Sequence, residues 1–166
     1  MARKISVIAM FSAFGILAAY VETFIPTIGV PGAKLGLANI AVVLALYILD
    51  AESAIIVNVV RIVIVGLLFG SLISISFALA GAFVSLTVMI VLKKCFNFSI
   101  ITVSIFGGFF HNVGQIIVAY LLVDNYNILY YLPVLLIVGI VTGLIIGILV
   151  RVLYTRTSVI CKKILN

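Results

Sequence analysis

The 166-residue sequence predicts an all-α integral membrane protein, one bundle of six transmembrane helices with both termini cytoplasmic. Three observations predict it. Hydrophobic residues make up 66% of the chain and charged ones 8%, with a mean hydropathy of +1.52, far outside the range of soluble globular domains. A spanning helix needs about 20 mainly apolar residues, so the chain has room for about five to seven and for no second, soluble domain. Lysine and arginine in short loops are retained on the cytoplasmic side. With the N-terminus inside, Arg3, Lys4, Lys93, Lys94, Arg151, Arg156, Lys162 and Lys163 all fall there, and only Lys34 falls outside. The net charge of +6 would suggest nucleic acid in a soluble protein, but this distribution points to a lipid bilayer instead.

The first segment, 5–25, follows Arg3 and Lys4 as a signal peptide would. Its apolar run is longer than an h-region and lacks a small-x-small cleavage site, so it reads as a retained helix. Pro26 to Leu35 then breaks the apolar pattern ahead of a second segment, 36–49, which is short for a span. Asp50 to Ser53 turns the chain into a third, 53–70, which carries Arg61, and Gly70-Ser71 is a tight turn into the fourth, 72–92. Lys93 to Ser99 leads to the fifth, 100–123, and Asp124 to Tyr131 to the sixth, 132–154, with a basic tail after Arg151. Tyr20, Tyr126, Tyr130 and Tyr131 gather near the outer interface, where aromatic belts form. Cys95 and Cys161 lie beside lysines placed in the cytoplasm, where thiols stay reduced, and are expected to be unpaired.

Small residues recur at helical spacing as Ala9 and Ala13, as Gly81 and Ser85, and as Gly139, Gly143 and Gly147. Such faces let backbones approach closely, either within the bundle or, most plausibly for Ala9 and Ala13, against a separate membrane subunit. The strongly polar residues of the spans are Glu22, Asn39, Asn58, Arg61, His111, Asn112 and Gln115. Each is expensive in lipid and should face the bundle interior or a cavity. Asn58 and Arg61 share one helix face, and His111, Asn112 and Gln115 form a stripe on another. With Lys34 and Asn39 entering from the outer end of the second segment, these groups would line an outward-opening pocket for a ligand with an anionic group. Alternatively Arg61 pairs with Glu22, and the amides are interhelical hydrogen bonds that hold the bundle together. Gly29, Gly32 and Gly36 match no Walker pattern. A lone His111 without a carboxylate beside it gives a metal site almost no support. Paired acids, a nucleophile with its base and an acid-rich diphosphate–metal motif are absent, so neither an enzymatic role nor a cofactor is expected.

The strings Pro31-Gly-Ala-Lys-Leu-Gly-Leu-Ala-Asn-Ile40, Arg61 ahead of Leu68-Phe-Gly70, Leu79-Ala-Gly-Ala-Phe-Val-Ser85 and His111-Asn-Val-Gly-Gln115 resemble the bacterial Gx transporter family, also labelled heptaprenyl diphosphate synthase component I. That family is similar to the S components of energy-coupling factor (ECF) transporters. The resemblance implies a six-helix fold in the bacterial cell membrane and an outward-facing pocket capped by the loop after the first helix. It also implies docking, through Ala9 and Ala13, on a coupling membrane protein with two cytosolic ATPases. Three functions follow as expectations: capture of a small vitamin-like or cofactor-precursor substrate, an accessory role in isoprenoid (heptaprenyl) diphosphate synthesis, and a structural scaffold. The scaffold requires the polar stripes to fill one another and leave no cavity.

Overall fold

The computed structural model describes residues 2–25, 35–123 and 126–165. Over these residues the chain is helical, without strands: α1 (Ala2–Thr23), α2 (Asn39–Ile48), α3 (Ala51–Phe69), α4 (Leu72–Phe96), α5 (Ile100–Val123) and α6 (Leu132–Leu165), with a 3-10 turn at Tyr126–Tyr131. All but α2 are long and apolar enough to cross a membrane. Large apolar side chains point outward around them, with Leu67, Phe83 and Leu121 69%, 76% and 70% exposed, an arrangement that suits lipid and not water. The chain is a multi-pass membrane protein.

The second segment is shorter than expected. Gly36 takes φ +73, which ends any helix extending toward the N-terminus, and tight bonds from Asn39 N to Gly36 O and Ile40 N to Leu37 O make the first turn. The remaining helix, α2, has 10 residues and is about 15 Å long, half a hydrocarbon core of about 30 Å. Its residues Ile40 to Leu46 are buried without interruption. An all-round apolar helix of this kind belongs inside protein.

The sixth segment is longer than expected: α6 continues through the basic tail to Leu165. From Arg151 onward the sequence holds no glycine or proline to stop it, and Leu153, Tyr154 and Cys161 pack on the core. Charge ends the membrane-like stretch there but not the helix. Likewise α4 runs to Phe96 with Lys93 and Lys94 in its last turn, where positive charge suits the helix dipole, and Asn97 in the left-handed region stops it. Asp50 begins α3 by accepting from Ser53 N at 2.8 Å, and Ser71 begins α4 by accepting from Ser74 N at 3.2 Å.

Glycines set the packing of α4, α5 and α6. A Cβ on Gly108 would lie 2.2 Å from Gly139 O, one on Gly143 2.6 Å from Ser104 O, and one on Gly114 2.7 Å from Ala80 O, so these backbones touch directly. Ser85 Oγ adds a bond to Gly107 O at 2.8 Å. On the other side α1 and α3 run parallel, joined by Lys4 Nζ and Asp50 at 2.6 Å at one end and by the Tyr20 and Phe69 rings at the other. That contact holds the Asp50 carboxyl at about 2, below its ordinary value, chiefly through the hydrogen bond from Lys4. Between the two layers sits α2, with Lys93 Nζ donating to Leu46 O at its C-terminal end. It fills the half of the interior nearest Lys4, Asp50 and Lys93.

The three sets of small residues therefore differ. Gly81 and Ser85, and Gly139, Gly143 and Gly147, are inside the bundle against α5. Ala9 and Ala13 are exposed in a shallow apolar groove between α1 and α3, beside Ile56, Val60 and Ile64.

Candidate functional site

Because α2 fills only half of the interior, a cavity of about 320 Å³ remains above its N-terminus. Asn39 and Val43 of α2 form its floor. Arg61 of α3 stands on one wall, Ser104, His111, Asn112 and Gln115 of α5 on the opposite wall, and Glu22, Thr23, Ile25 and Gly70 border it at the far end of the bundle.

Arg61 lies ten residues into α3, about 15 Å from its start and so near mid-membrane. Its Nη2 donates to Asn39 Oδ1 at 3.1 Å and to Asn58 Oδ1 at 2.5 Å. Its Nε is buried and has no hydrogen-bond partner among the described residues. Gly15 makes room for the side chain, since a Cβ there would stand 3.1 Å from Arg61 Cδ. The carboxylate that could have neutralised it, Glu22, instead accepts from Gly36 N at 2.5 Å and acts on the arginine only through space, because among the described residues the one ion pair is that of Lys4 with Asp50. The charge of Arg61 thus meets two neutral amides and an open volume. A fixed cation in that state favours an oxyanion in the cavity.

A second feature acts in the same sense. Ala38, the residue before α2, offers no side-chain cap, so the positive end of the helix dipole faces the cavity. Separately, Ser104, only 3% exposed, borders the cavity, and its Oγ is buried without a hydrogen-bond partner among the described residues.

The structure brings Asn39, Arg61, His111, Asn112 and Gln115 to one cavity. Asn112 also donates Nδ2 to Leu135 O at 2.5 Å, which fastens α5 to α6. Asn58 is buried behind Arg61 and does not border the cavity, so its part is to hold the guanidinium. Lys34 lies outside the described residues. Sequence reasoning missed Ser104, although Ser104, Gly108, His111 and Gln115 recur every three or four residues and so form one small and polar face of α5. Among the described residues no group of three His, Cys, Asp or Glu side chains comes together as metal ligands would.

Fold and cavity together define a helical membrane protein with an internal cavity whose lining carries an arginine, a histidine and side-chain amides. Residues 11–153 match the family described as heptaprenyl diphosphate synthase component I, and the chain belongs to that family. Comparison with curated proteins and with solved structures found no match.

Proposed function

We propose that the chain is the substrate-binding S component of an ECF-type importer, which captures a small vitamin-like or cofactor-precursor ligand with an anionic group from the outer face of the bacterial cell membrane. The observation that carries this reading is Arg61, a mid-membrane cation held by neutral amides at the edge of a 320 Å³ cavity. Asn39, His111, Asn112 and Gln115 supply hydrogen bonds around the ligand, Asn58 holds Arg61, and Lys34 belongs to the site on sequence grounds. The protein binds and does not catalyse. Both termini are cytoplasmic, and the groove at Ala9 and Ala13 receives the coupling membrane protein, which works with two cytosolic ATPases. These small side chains are exposed on the outside of the bundle, as a docking face requires.

Ligand binding to the purified protein tests the reading. A compound in a panel of anionic metabolites and vitamins raises the thermal midpoint, and Arg61→Ala or Lys34→Ala weakens the effect at least about tenfold, the worth of one charge-assisted hydrogen bond. An unchanged midpoint across the panel, with both variants indistinguishable from wild type, sinks it. The family's description favours a second reading, an accessory membrane subunit of heptaprenyl diphosphate synthesis. Co-purification with a soluble prenyl synthase and a longer product chain would support that role.

A further inference from the structure

We infer that the cavity takes a small organic anion with a single oxyanion group and a second, uncharged hydrogen-bonding group: the oxyanion sits beside Arg61 at the N-terminus of α2, and a hydroxyl, carbonyl or amide reaches Ser104. This deepens the binding role proposed above and rests on it.

The oxyanion end follows from the charges around α2. Lys93 Nζ donates to Leu46 O at the C-terminal end of that helix, so the negative pole of its dipole is neutralised. The positive pole has no side-chain cap and faces the cavity, beside an arginine whose Nη2 donates, among the described residues, to the Asn39 and Asn58 carbonyls. Half-helix N-termini in membrane interiors hold anionic substrate groups by this arrangement.

The neutral end follows from the opposite wall. Ser104 borders the cavity from α5, and its Oγ is buried and without a hydrogen-bond partner among the described residues. A hydroxyl that has lost water without gaining a partner favours a ligand that supplies one. Between the two anchors the lining is apolar, with Val43, Met89 and Ile146, so an apolar body joins the polar ends. A second negative charge close to Glu22 is disfavoured, because among the described residues that carboxylate is the acidic side chain bordering the cavity.

The test uses the full-length protein in detergent and a size-matched panel built on aromatic, aliphatic and heteroaromatic scaffolds. The aromatic set is phenylpropionate, para-hydroxyphenylpropionate, phenyl phosphate, tyramine and para-hydroxyphenylpropanol. Thermal shift and calorimetry should find the hydroxylated or amidated anions tightest, and carboxylate against phosphate ester identifies the oxyanion. Arg61→Gln should weaken the anions at least about tenfold. Ser104→Ala should weaken the anions with a distal polar group by about three- to tenfold and leave their unsubstituted analogues unchanged. That difference stands as a measurement even if the arginine variant does not fold. Equal Ser104→Ala losses for both kinds of anion overturn the inference and leave the proposed binding role in place, whereas preference for amines or neutral compounds overturns the inference together with the anionic ligand of that role. No binding by any class overturns both.

Discussion

Arg61 is held by the carbonyl oxygens of Asn39 and Asn58 where a carboxylate would have made it a closed ion pair. The difference is testable at Asn58, which is buried and does not border the cavity. Asn58→Asp puts a permanent counter-charge on the guanidinium with little change of shape. It should raise the thermal midpoint of the unliganded protein and weaken anion binding at least about tenfold, because ligand and aspartate compete for one charge. Asn58→Ala should instead cost about 1.5–3 kcal/mol of stability, the worth of a hydrogen bond to a charged group. Thermal unfolding with and without ligand separates the two outcomes. The cavity residues readable in the sequence were those whose burial in lipid would be most costly: an arginine, a histidine and amides in apolar helices announce an interior face. The periodicity of α5 put Ser104 on that face, but its missing partner was not readable, because a serine hydroxyl in a helix usually bonds its own backbone. The periodicity that joined Asn58 to Arg61 was right about the shared face. It could not say that Asn58 stands behind the arginine and not in the cavity.

At the level of the elements, α2 and the α5–α6 contact decide whether the cavity exists. Each α-helix among the described residues overlaps a segment set off by the breaks in the apolar pattern, since glycine, proline and charge clusters interrupt hydrophobic runs where the chain turns. They did not reveal that α2 is a half-length helix, because a short apolar run reads alike whether it ends in lipid or inside protein. Nor did they separate the end of the apolar run near Arg151 from the end of α6 at Leu165. The α5–α6 contact is the more sensitive to substitution. Gly108→Ala would drive a Cβ to 2.2 Å from Gly139 O, and backbone cannot rotate away as a side chain can. The variant should lose about 1–3 kcal/mol of stability, as overpacked interiors do. Gly107→Ala meets Met89 Sδ at 2.6 Å and should cost less, because a methionine side chain adapts readily. Chemical unfolding of both variants in the same detergent checks the order, and equal losses would contradict direct backbone contact between α5 and α6.

For the whole molecule, the decisive property is which side of the membrane the cavity faces. Lys4, Asp50 and Lys93 mark one end of the bundle, whereas the cavity reaches the other at Thr23, Ile25 and Gly70. If the basic residues are retained in the cytoplasm, as they generally are, the cavity faces outward, as the proposed capture from outside requires. The protein carries its own probe for this, since Cys95 is exposed at the end of α4 next to Lys93 and Lys94, whereas Cys161 is buried. Tyr130, 82% exposed in the 3-10 turn at the other end, provides the opposite position as Tyr130→Cys in a Cys95→Ser background. A membrane-impermeant maleimide should label Cys95 in inverted vesicles and not in right-side-out ones, and Tyr130→Cys should show the reverse. Labelling of Cys95 from outside would turn the cavity toward the cytoplasm. Arg61 would still hold an anion there, but it would be one supplied by the cell, and a role in import would no longer follow from the same geometry.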